Sequence, residues 1–184
     1  MPLYCASRRT LVNISEDHSQ LVADNLKDIE FPPDIDTVIC CLGSTIKKAG
    51  SKKNFEMSDY QLPMDLFKSA LEKGARRLLI VSSQGASSSS SIFYNQIKGK
   101  LEDAIGQLGW EQVVIFRPSL LLGERDESRP GEQIGQWLAP LFRYILPNNY
   151  RPIRAETLAS AIWHYYQEFE PGVQVKEGNQ LWIK

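Results

Sequence analysis

Short apolar runs alternate with longer stretches of helical periodicity along most of the 184-residue chain. The short runs predict strands over residues 3–7, 20–23, 37–42, 77–81 and 112–116. Helical spacing predicts helices over residues 58–73, 92–108, 132–145 and 155–169, followed by one or two short strands. Strands and helices that alternate in this way indicate an α/β fold, with a doubly wound parallel sheet covered by helices on both faces.

Polar residues follow each of the predicted strands. They are Arg8 and Arg9, Asp24, Gly43 to Thr45, Ser82 and Ser83, and Arg117 to Ser119. The carboxyl ends of parallel strands meet at one edge of the sheet, and ligands bind at that edge. The sequence therefore predicts one site to which all of these segments contribute.

One predicted helix carries Tyr94 and, four positions later, Lys98, so the two side chains share a face. A phenol is a poor acid and base at neutral pH, but a neighbouring ammonium favours the phenolate. Tyr94 would then exchange a proton with a carbonyl oxygen, while a serine hydroxyl at the end of the preceding strand, from Ser82 or Ser83, hydrogen-bonds the same oxygen. This arrangement predicts interconversion of a carbonyl and an alcohol. On spacing alone, a chance Tyr/Lys pair is the alternative.

Composition predicts one domain over residues 1–184, with a small substrate-side portion from about residue 119. Twenty-one basic and twenty-two acidic residues give a formal net charge of −1, which favours a small-molecule substrate over nucleic acid or a membrane. No apolar run is long enough to span a bilayer and no signal-like segment is present, so we expect a cytoplasmic location. Cys5, Cys40 and Cys41 fall in predicted buried strands, which favours core thiols over disulfides, and the two histidines predict no metal site.

Three further features of the sequence have alternative interpretations. The five serines at 87–91 are typical of a mobile linker, although their place beside the predicted site also suits a flap over substrate. A serine hydrolase is disfavoured, because Ser82 and Ser83 lack a Gly-x-Ser-x-Gly turn. His164 lies among aromatic residues of a predicted packed helix, which favours a structural role.

Five segments resemble the short-chain dehydrogenase/reductase superfamily, in particular its atypical branch that includes the Tat-interacting-protein-like oxidoreductases. They are residues 40–45, 82–86, 94–99, 116–119 and 127–132. The resemblance covers nearly the whole chain and implies a Rossmann-like fold that binds NAD(P). It also implies that Tyr94 is the proton donor or acceptor and that Lys98 tunes it and holds the nicotinamide ribose. By the same resemblance, Ser83 orients the substrate carbonyl, and Ser82 is the less favoured serine.

The same resemblance implies a set of cofactor-binding residues. They are Arg8, Arg9, Asp24, Leu42, Gly43, Ser44, Lys98, Pro118 and Ser119. Asp24 would meet the adenine amine, and residues 42–44 would line the adenosine. Arg8 and Arg9 end the strand whose tip faces the adenosine ribose, where cationic groups would accommodate the 2′-phosphate of NADP(H) in preference to NAD(H). A solvated strand end is the alternative for these two arginines.

The sequence departs from the family at the phosphates of the dinucleotide. Family members begin with a strand, a glycine-rich turn and a helix, whereas no such glycine pattern occurs here and the chain begins at what resembles the second strand. The missing strand would lie between the 3–7 and 37–42 strands, so we expect unpaired edges and poor dinucleotide binding. We expect the natural protein to begin about 20 to 25 residues upstream of Met1.

The leading prediction is an NADP(H)-dependent oxidoreductase that acts on a small carbonyl or alcohol. The alternative is an NADP(H)-sensing or scaffold protein that keeps the fold without turnover, which the missing glycine-rich turn favours. A homodimer that pairs through the predicted 92–108 helix and the 58–73 helix before it is a further expectation, by analogy.

Overall fold

The computed structural model describes residues 3–12, 14–122 and 152–183. Within these ranges the strands form three parallel sheets, the largest with the order β3-β4-β5-β8. The other two sheets pair β1 with β2 and β6 with β7. The strands are β1 (Leu3–Ser7), β2 (His18–Val22), β3 (Thr37–Cys40), β4 (Arg77–Val81), β5 (Gln112–Arg117), β6 (Leu121–Leu122), β7 (Ile153–Arg154) and β8 (Gly172–Glu177).

Helices cover both faces of the large sheet. They are α1 (Ile46–Ala49), α2 (Lys52–Glu56), α3 (Leu62–Glu72), α4 (Phe93–Ile105) and α5 (Ala155–Gln167), with a π-helical segment at Met57–Gln61 and 3₁₀ turns at Leu26–Asp28 and Gly178–Leu181. The predicted α/β class is therefore confirmed, and the architecture is Rossmann-like. No helix among the described residues combines the length and the apolar character that crossing a membrane requires.

The core consists of two apolar layers, one on each face of the sheet. Successive side chains of β4 point to opposite faces of the sheet. Leu78 and Ile80 therefore pack in one apolar layer and Leu79 in the other. Helices α3 and α4 cover the first face, and α5 covers the second. All three β4 side chains are almost completely buried, which is typical of a parallel strand between two helical layers.

The helical region before β4 begins earlier than the predicted 58–73. Ser51 caps α2 by accepting a hydrogen bond from the backbone N–H of Asn54, and the chain then continues through the π-helical segment into α3. Pro63 lies in the first turn of α3 and cannot donate to the carbonyl of Asp59. The widened segment Met57–Gln61 immediately precedes this proline and includes Asp59.

Several predicted boundaries differ from the structure. β3 ends at Cys40, so Cys41 lies outside the strand and is exposed, and Cys5 is only half-buried; of the three predicted core thiols, only Cys40 is buried. The tail forms the single strand β8 before a 3₁₀ turn. The predicted loop at 123–131 and the helix at 132–145 lie outside the described residues.

The sheet is interrupted where the sequence predicted a missing strand. β1 and β2 pair only with each other among the described strands, and β3 forms an edge of the large sheet. Ile39 of β3 is 41% exposed, unlike the buried side chains at the centre of β4. An edge of this kind presents backbone donors and acceptors that have no strand partner.

The serine run at 87–91 forms a turn that packs against α4. The backbone N–H of Ser87 donates to the carbonyl of Asn95 at 3.0 Å, and that of Ser90 donates to the carbonyl of Ser87 at 3.0 Å. The turn lies directly against Gly99 of α4, where a Cβ atom would stand 2.1 Å from the carbonyl carbon of Ser87. Gly99 therefore permits the close approach of loop and helix.

We expect Gly99→Ala to lower the free energy of unfolding by about 1–3 kcal/mol, because the added methyl group overlaps backbone atoms of the serine turn. Gly106→Ala, at the end of the same helix, is the matched control. Its φ of −63° suits alanine, and the nearest atoms to its Cβ are 3.6 Å away. Urea unfolding of both variants measures the difference, and an equal loss in the two would contradict the packing argument.

Candidate active site

Helix α4 positions the two residues whose spacing first indicated chemistry. Tyr94 lies in its first turn and Lys98 one turn later, on the same face. The Tyr94 ring packs against Phe55 of α2 with a centroid distance of 5.3 Å. Phe55 is completely buried, so the position of the phenol ring is fixed by an aromatic contact from the neighbouring helix.

Lys98 forms a buried ion pair. Its Nζ lies 2.8 Å from Oδ1 of Asp59, and the two side chains are 5% and 0% exposed. The backbone N–H of Ser44 donates to both carboxylate oxygens at 3.0 and 3.1 Å, and the hydroxyl of Ser58 donates to Oδ2 at 2.8 Å. A Cβ on Gly43 would lie 3.4 Å from the Lys98 Nζ. The loop after β3 and helix α4 therefore meet at the ammonium of Lys98.

Ser83 follows β4 in a segment that continues beside the end of β5. The N–H of Ser82 donates to the carbonyl of Phe116 at 2.7 Å, and the N–H of Gln84 donates to that of Pro118 at 3.0 Å. The hydroxyl oxygen of Ser83 is buried, and no hydrogen-bond partner for it occurs in the described part of the chain. It is thus a polar group at the carboxyl edge of the sheet with hydrogen-bonding capacity to spare.

Ser82 has a different environment. Its hydroxyl donates to Glu102 of α4, and Glu102 is bound in turn by the guanidinium of Arg117 through Nε and Nη2. Hydrogen bonding to Glu102 raises the pKa of Arg117 above its ordinary value. Ser82 is therefore engaged in a charged network on the inner side of α4.

The remaining predicted cofactor residues lie in two places. Arg8 and Arg9 are exposed after β1, and Asp24 is exposed beyond β2. All three therefore lie at strand ends of the separate two-stranded sheet. The others lie at the edge of the large sheet: Leu42, which packs against the core, Gly43 and Ser44 beside Lys98, and Pro118 and Ser119 after β5. The structure thus brings the second group to the edge that carries Ser83, and their roles stay predictions.

Cys40 lies close to this site without being a candidate nucleophile. Burial raises the pKa of its thiol to about 12, although a hydrogen bond with the backbone of Leu42 partly offsets the effect. The thiol is therefore protonated at neutral pH, and a protonated thiol is a weak nucleophile.

Sequence reasoning missed Asp59 and Glu102. Both are acidic residues on apolar helix faces: Asp59 stands four positions after Phe55 and four before Pro63, and Glu102 stands four positions after Lys98. An acidic side chain at such a position needs a buried partner, because an unpaired carboxylate is costly inside a protein. In the sequence, the position of these two acidic residues on apolar helix faces was the signal that each has a buried partner.

Superposition on solved structures shows that the chain has a Rossmann-like fold. Together with the family model and the relatives, this places it in an atypical branch that resembles the short-chain dehydrogenases/reductases. The family model described as HIM1 matches residues 6–145, and the chain belongs to the HIM1 family. The resemblance stated from the motifs is thereby confirmed.

Two relatives and two solved structures illustrate the similarity. The chain is 36% identical over 141 residues to "Protein FMP52, mitochondrial" of Candida albicans, covering 74% of this chain and 61% of that protein. It is 37% identical over 135 residues to "Protein HTATIP2" of Rattus norvegicus, covering 72% of this chain and 54% of that protein. The matches thus span only about half to three fifths of these relatives.

Among solved structures, RMD from Pseudomonas aeruginosa complexed with NADPH superimposes with a TM-score of 0.62 at 16% identity, covering 91% of this chain and 72% of that one. MoeE5 in complex with UDP-glucose and NAD superimposes with a TM-score of 0.68 at 14% identity, covering 97% of this chain and 70% of that one. At these identities the comparison supports the fold alone.

The expectation of a cytoplasmic location is contradicted. FMP52 relatives of Candida albicans, Emericella nidulans and Aspergillus niger are named as mitochondrial proteins. The expectation rested only on the absence of a membrane span and of a secretory signal. That absence carries no information about delivery to an organelle by other signals.

Proposed function

We propose that this chain forms the reactive part of an NADP(H)-dependent oxidoreductase that acts on a small carbonyl or alcohol. One observation carries the proposal: the Ser83 hydroxyl is buried, without a partner among the described residues, at the sheet edge next to the helix that presents Tyr94 and Lys98. A buried hydroxyl without a hydrogen bond costs about 1–3 kcal/mol. A substrate oxygen would satisfy that hydroxyl.

The residues fit the nicotinamide end of a dinucleotide better than its phosphates. Ser83, Tyr94 and Lys98 supply hydroxyl, phenol and ammonium groups at the carboxyl edge, where Rossmann-like sheets bind such ligands. No glycine-rich phosphate-binding turn occurs in the sequence, so this chain alone would bind the pyrophosphate weakly. A bound nicotinamide cofactor would supply the hydride.

Each protein group has a defined task in this proposal. The hydroxyl of Ser83 donates a hydrogen bond to the substrate oxygen, which orients the carbonyl and stabilises charge that develops on it. The phenol of Tyr94 transfers a proton to or from the same oxygen. Lys98, one turn further along α4, would hold the nicotinamide ribose through its ammonium group.

The preference for NADP(H) over NAD(H) rests on Arg8 and Arg9. Both side chains are exposed at the end of β1, the strand position at which the cofactor's adenosine ribose lies in Rossmann-like proteins. Two guanidinium groups would bind a 2′-phosphate by charge-assisted hydrogen bonds. The fungal relatives, which are named as mitochondrial proteins, support a mitochondrial location for this chain as well.

A titration followed by a turnover screen tests the proposal. The full chain is titrated with NADPH and with NADH, and a panel of aldehydes and ketones is then added at the highest NADPH concentration. We expect weak binding that favours NADPH, and cofactor oxidation that Ser83→Ala lowers about a hundredfold, because one transition-state hydrogen bond is lost.

A second function, cofactor sensing without turnover, is favoured by one observation: Lys98 is held in an ion pair with Asp59. The screen separates the two functions. NADPH binding without oxidation across the panel would contradict the oxidoreductase and support the sensor, and binding of neither cofactor would contradict both.

A further inference from the structure

Four exposed lysines stand close together in the two short helices between β3 and the π-helical segment. They are Lys47, Lys48, Lys52 and Lys53. The side-chain amide of Asn54 donates to the carbonyl of Ala49 at 2.9 Å, which joins the end of α1 to the start of α2. The segment that leads from the sheet edge to the π-helical segment therefore presents a positively charged surface.

Little of this charge is neutralised by the fold. Within the part of the chain that the structure describes, Lys47, Lys52 and Lys53 form no ion pair with a carboxylate. Glu56 is the one exposed acidic residue between positions 44 and 56, and although it stands four positions after Lys52, the two are not paired. The surface thus keeps a net positive charge that is available to a ligand.

Two of the lysines occupy positions that are unfavourable for the helix itself. Ser51 is the N-cap of α2, so Lys52 and Lys53 lie in the first turn of a helical run that continues into α3. Positive side chains at the start of a helix oppose the helix dipole, whereas carboxylates there are stabilising. Helix stability therefore gives no reason for these two lysines, and a ligand-binding role does.

Lys52 extends to the helix that carries Tyr94. Its Nζ lies 5.1 Å from the centroid of the Phe93 ring, and Phe93 directly precedes Tyr94 in the first turn of α4. Phe55 packs against both rings, with centroid distances of 6.2 Å to Phe93 and 5.3 Å to Tyr94. A cation at this distance over an aromatic face is attracted to it, which restricts where the ammonium can lie. The charge of Lys52 is thereby held on the Tyr94 side of α2.

We propose that the substrate carries an anionic group, a carboxylate or a phosphate, that binds Lys52 while the substrate carbonyl lies at Tyr94. Lys52 is then a specificity-determining residue, an inference that rests on the proposed function and adds its substrate class. Lys47 and Lys53 contribute to a field that raises the local concentration of anions on this side of the site. The pyrophosphate of the cofactor is the competing anion, and the experiments below separate the two.

Matched substrate pairs test the substrate class with NADPH and the full chain. Succinic semialdehyde is compared with its methyl ester, and glyceraldehyde 3-phosphate with glyceraldehyde, so that one pair reports a carboxylate and the other a phosphate. We expect the anionic member of at least one pair to have the higher kcat/KM, through a lower KM. Lys52→Met should lower the ratio of anionic to neutral kcat/KM about fivefold, the upper range for one exposed ion pair.

Lys52→Glu separates substrate binding from stability. A carboxylate suits the start of a helix, so the midpoint of urea unfolding should stay close to that of the wild type. The ratio of anionic to neutral kcat/KM should nevertheless fall further than in Lys52→Met, because the charge is reversed. Lys68→Met, at an exposed position of α3, is the control and should leave the ratio unchanged. An unchanged ratio in both Lys52 variants, or an equal fall in Lys68→Met, overturns the inference.

Anion binding is also measured without turnover. Succinate and inorganic phosphate are titrated into the full chain at constant ionic strength, and proton–nitrogen spectra follow the backbone N–H signals of residues 52–55 and 92–95. We expect saturable shifts in both segments, which Lys52→Glu removes. NADPH affinity is measured on the same variants. A loss of NADPH affinity in Lys52→Met as large as the loss of anion affinity assigns the charge to the cofactor and overturns the inference.

The two measurements distinguish failure of the substrate class from failure of the proposed function. Turnover that shows no preference for the anionic member of either pair overturns the substrate class and leaves the oxidoreductase standing. Saturable shifts that depend on Lys52, in a wild-type chain that turns over no carbonyl compound, overturn the oxidoreductase and support an anion site beside Tyr94. Shifts that persist in Lys52→Glu overturn the assignment of the anion to Lys52.

Discussion

Tyr94→Phe is expected to lower kcat by a factor of about a hundred to ten thousand while NADPH binding stays nearly unchanged. The range is what proton transfer by a positioned side chain contributes. Phenylalanine keeps the ring that packs against Phe55, so the variant removes one hydroxyl and little else. Steady-state rates with a carbonyl compound that passes the screen, together with an NADPH titration, measure both quantities.

Tyr166→Phe is the matched control for this experiment. Tyr166 lies on α5, where its ring stacks on Trp163 at 5.3 Å and lies beneath the guanidinium of Arg77 at 5.2 Å, and both ring contacts survive the substitution. We expect its kcat to match the wild type. An unchanged kcat in Tyr94→Phe would exclude the phenol from the reaction, and an equal loss in both variants would point to a general effect on the fold.

Arg117→Met is expected to lower the free energy of unfolding by about 3–5 kcal/mol, because it leaves the Glu102 carboxylate buried without its counter-charge. Methionine replaces much of the apolar stem, so the change acts mainly on charge. Ser82 still donates to Glu102 after the substitution, but a hydroxyl does not neutralise a carboxylate. The midpoint and slope of urea unfolding give the loss.

Arg76→Met is the control at the surface. Arg76 is 63% exposed and pairs with Asp36 and Glu111 at 3.7 Å, so its loss should cost less than about 1 kcal/mol. The double variant Arg117→Met with Glu102→Gln should recover part of the stability, since it removes the unpaired charge. Equal losses at Arg117 and Arg76 would contradict the view that burial decides the effect.

The fold was predictable because its strongest signals are local. β4 has the predicted limits, since an unbroken apolar run of four residues, Leu78 to Val81, between polar neighbours allows few alternatives. The helix that carries Tyr94 and Lys98 was recognised from its periodicity, which fixed their common face. Only the ends of that helix moved, by one to three residues, because helix ends depend on capping more than on pattern.

The predictions that failed needed information from distant parts of the chain. The helical region begins at Lys52 rather than at residue 58. The sequence pattern missed its first turn because Lys52, Lys53 and Asn54 are polar. Their helical state follows from the Ser51 cap and the packing of Phe55. Cys41 is exposed because β3 stops one residue before it. The serine run packs because Gly99, on another element, leaves room for it.

The candidate site was predictable in its residue types and less so in its electrostatics. Tyr94, Lys98 and the Ser82-Ser83 pair followed from spacing and strand order, both of which are properties of short segments, and the choice of Ser83 came from the family resemblance. The partner of Lys98 comes from a segment 39 positions earlier, and no periodic pattern connects the two. Pairing of this kind depends on how helices are placed around the sheet, which the sequence pattern leaves open.

Helix α4 carries two buried charges one turn apart, and each is bound to a different neighbour. Lys98 is tied to the π-helical segment by Asp59, and Glu102 is tied to β5 by Arg117. Apolar packing tolerates small rotations and slips of a helix, whereas either motion here would separate both pairs at once. The rotational setting of α4, and with it the direction in which Tyr94 faces, is therefore determined by two electrostatic anchors of opposite sign.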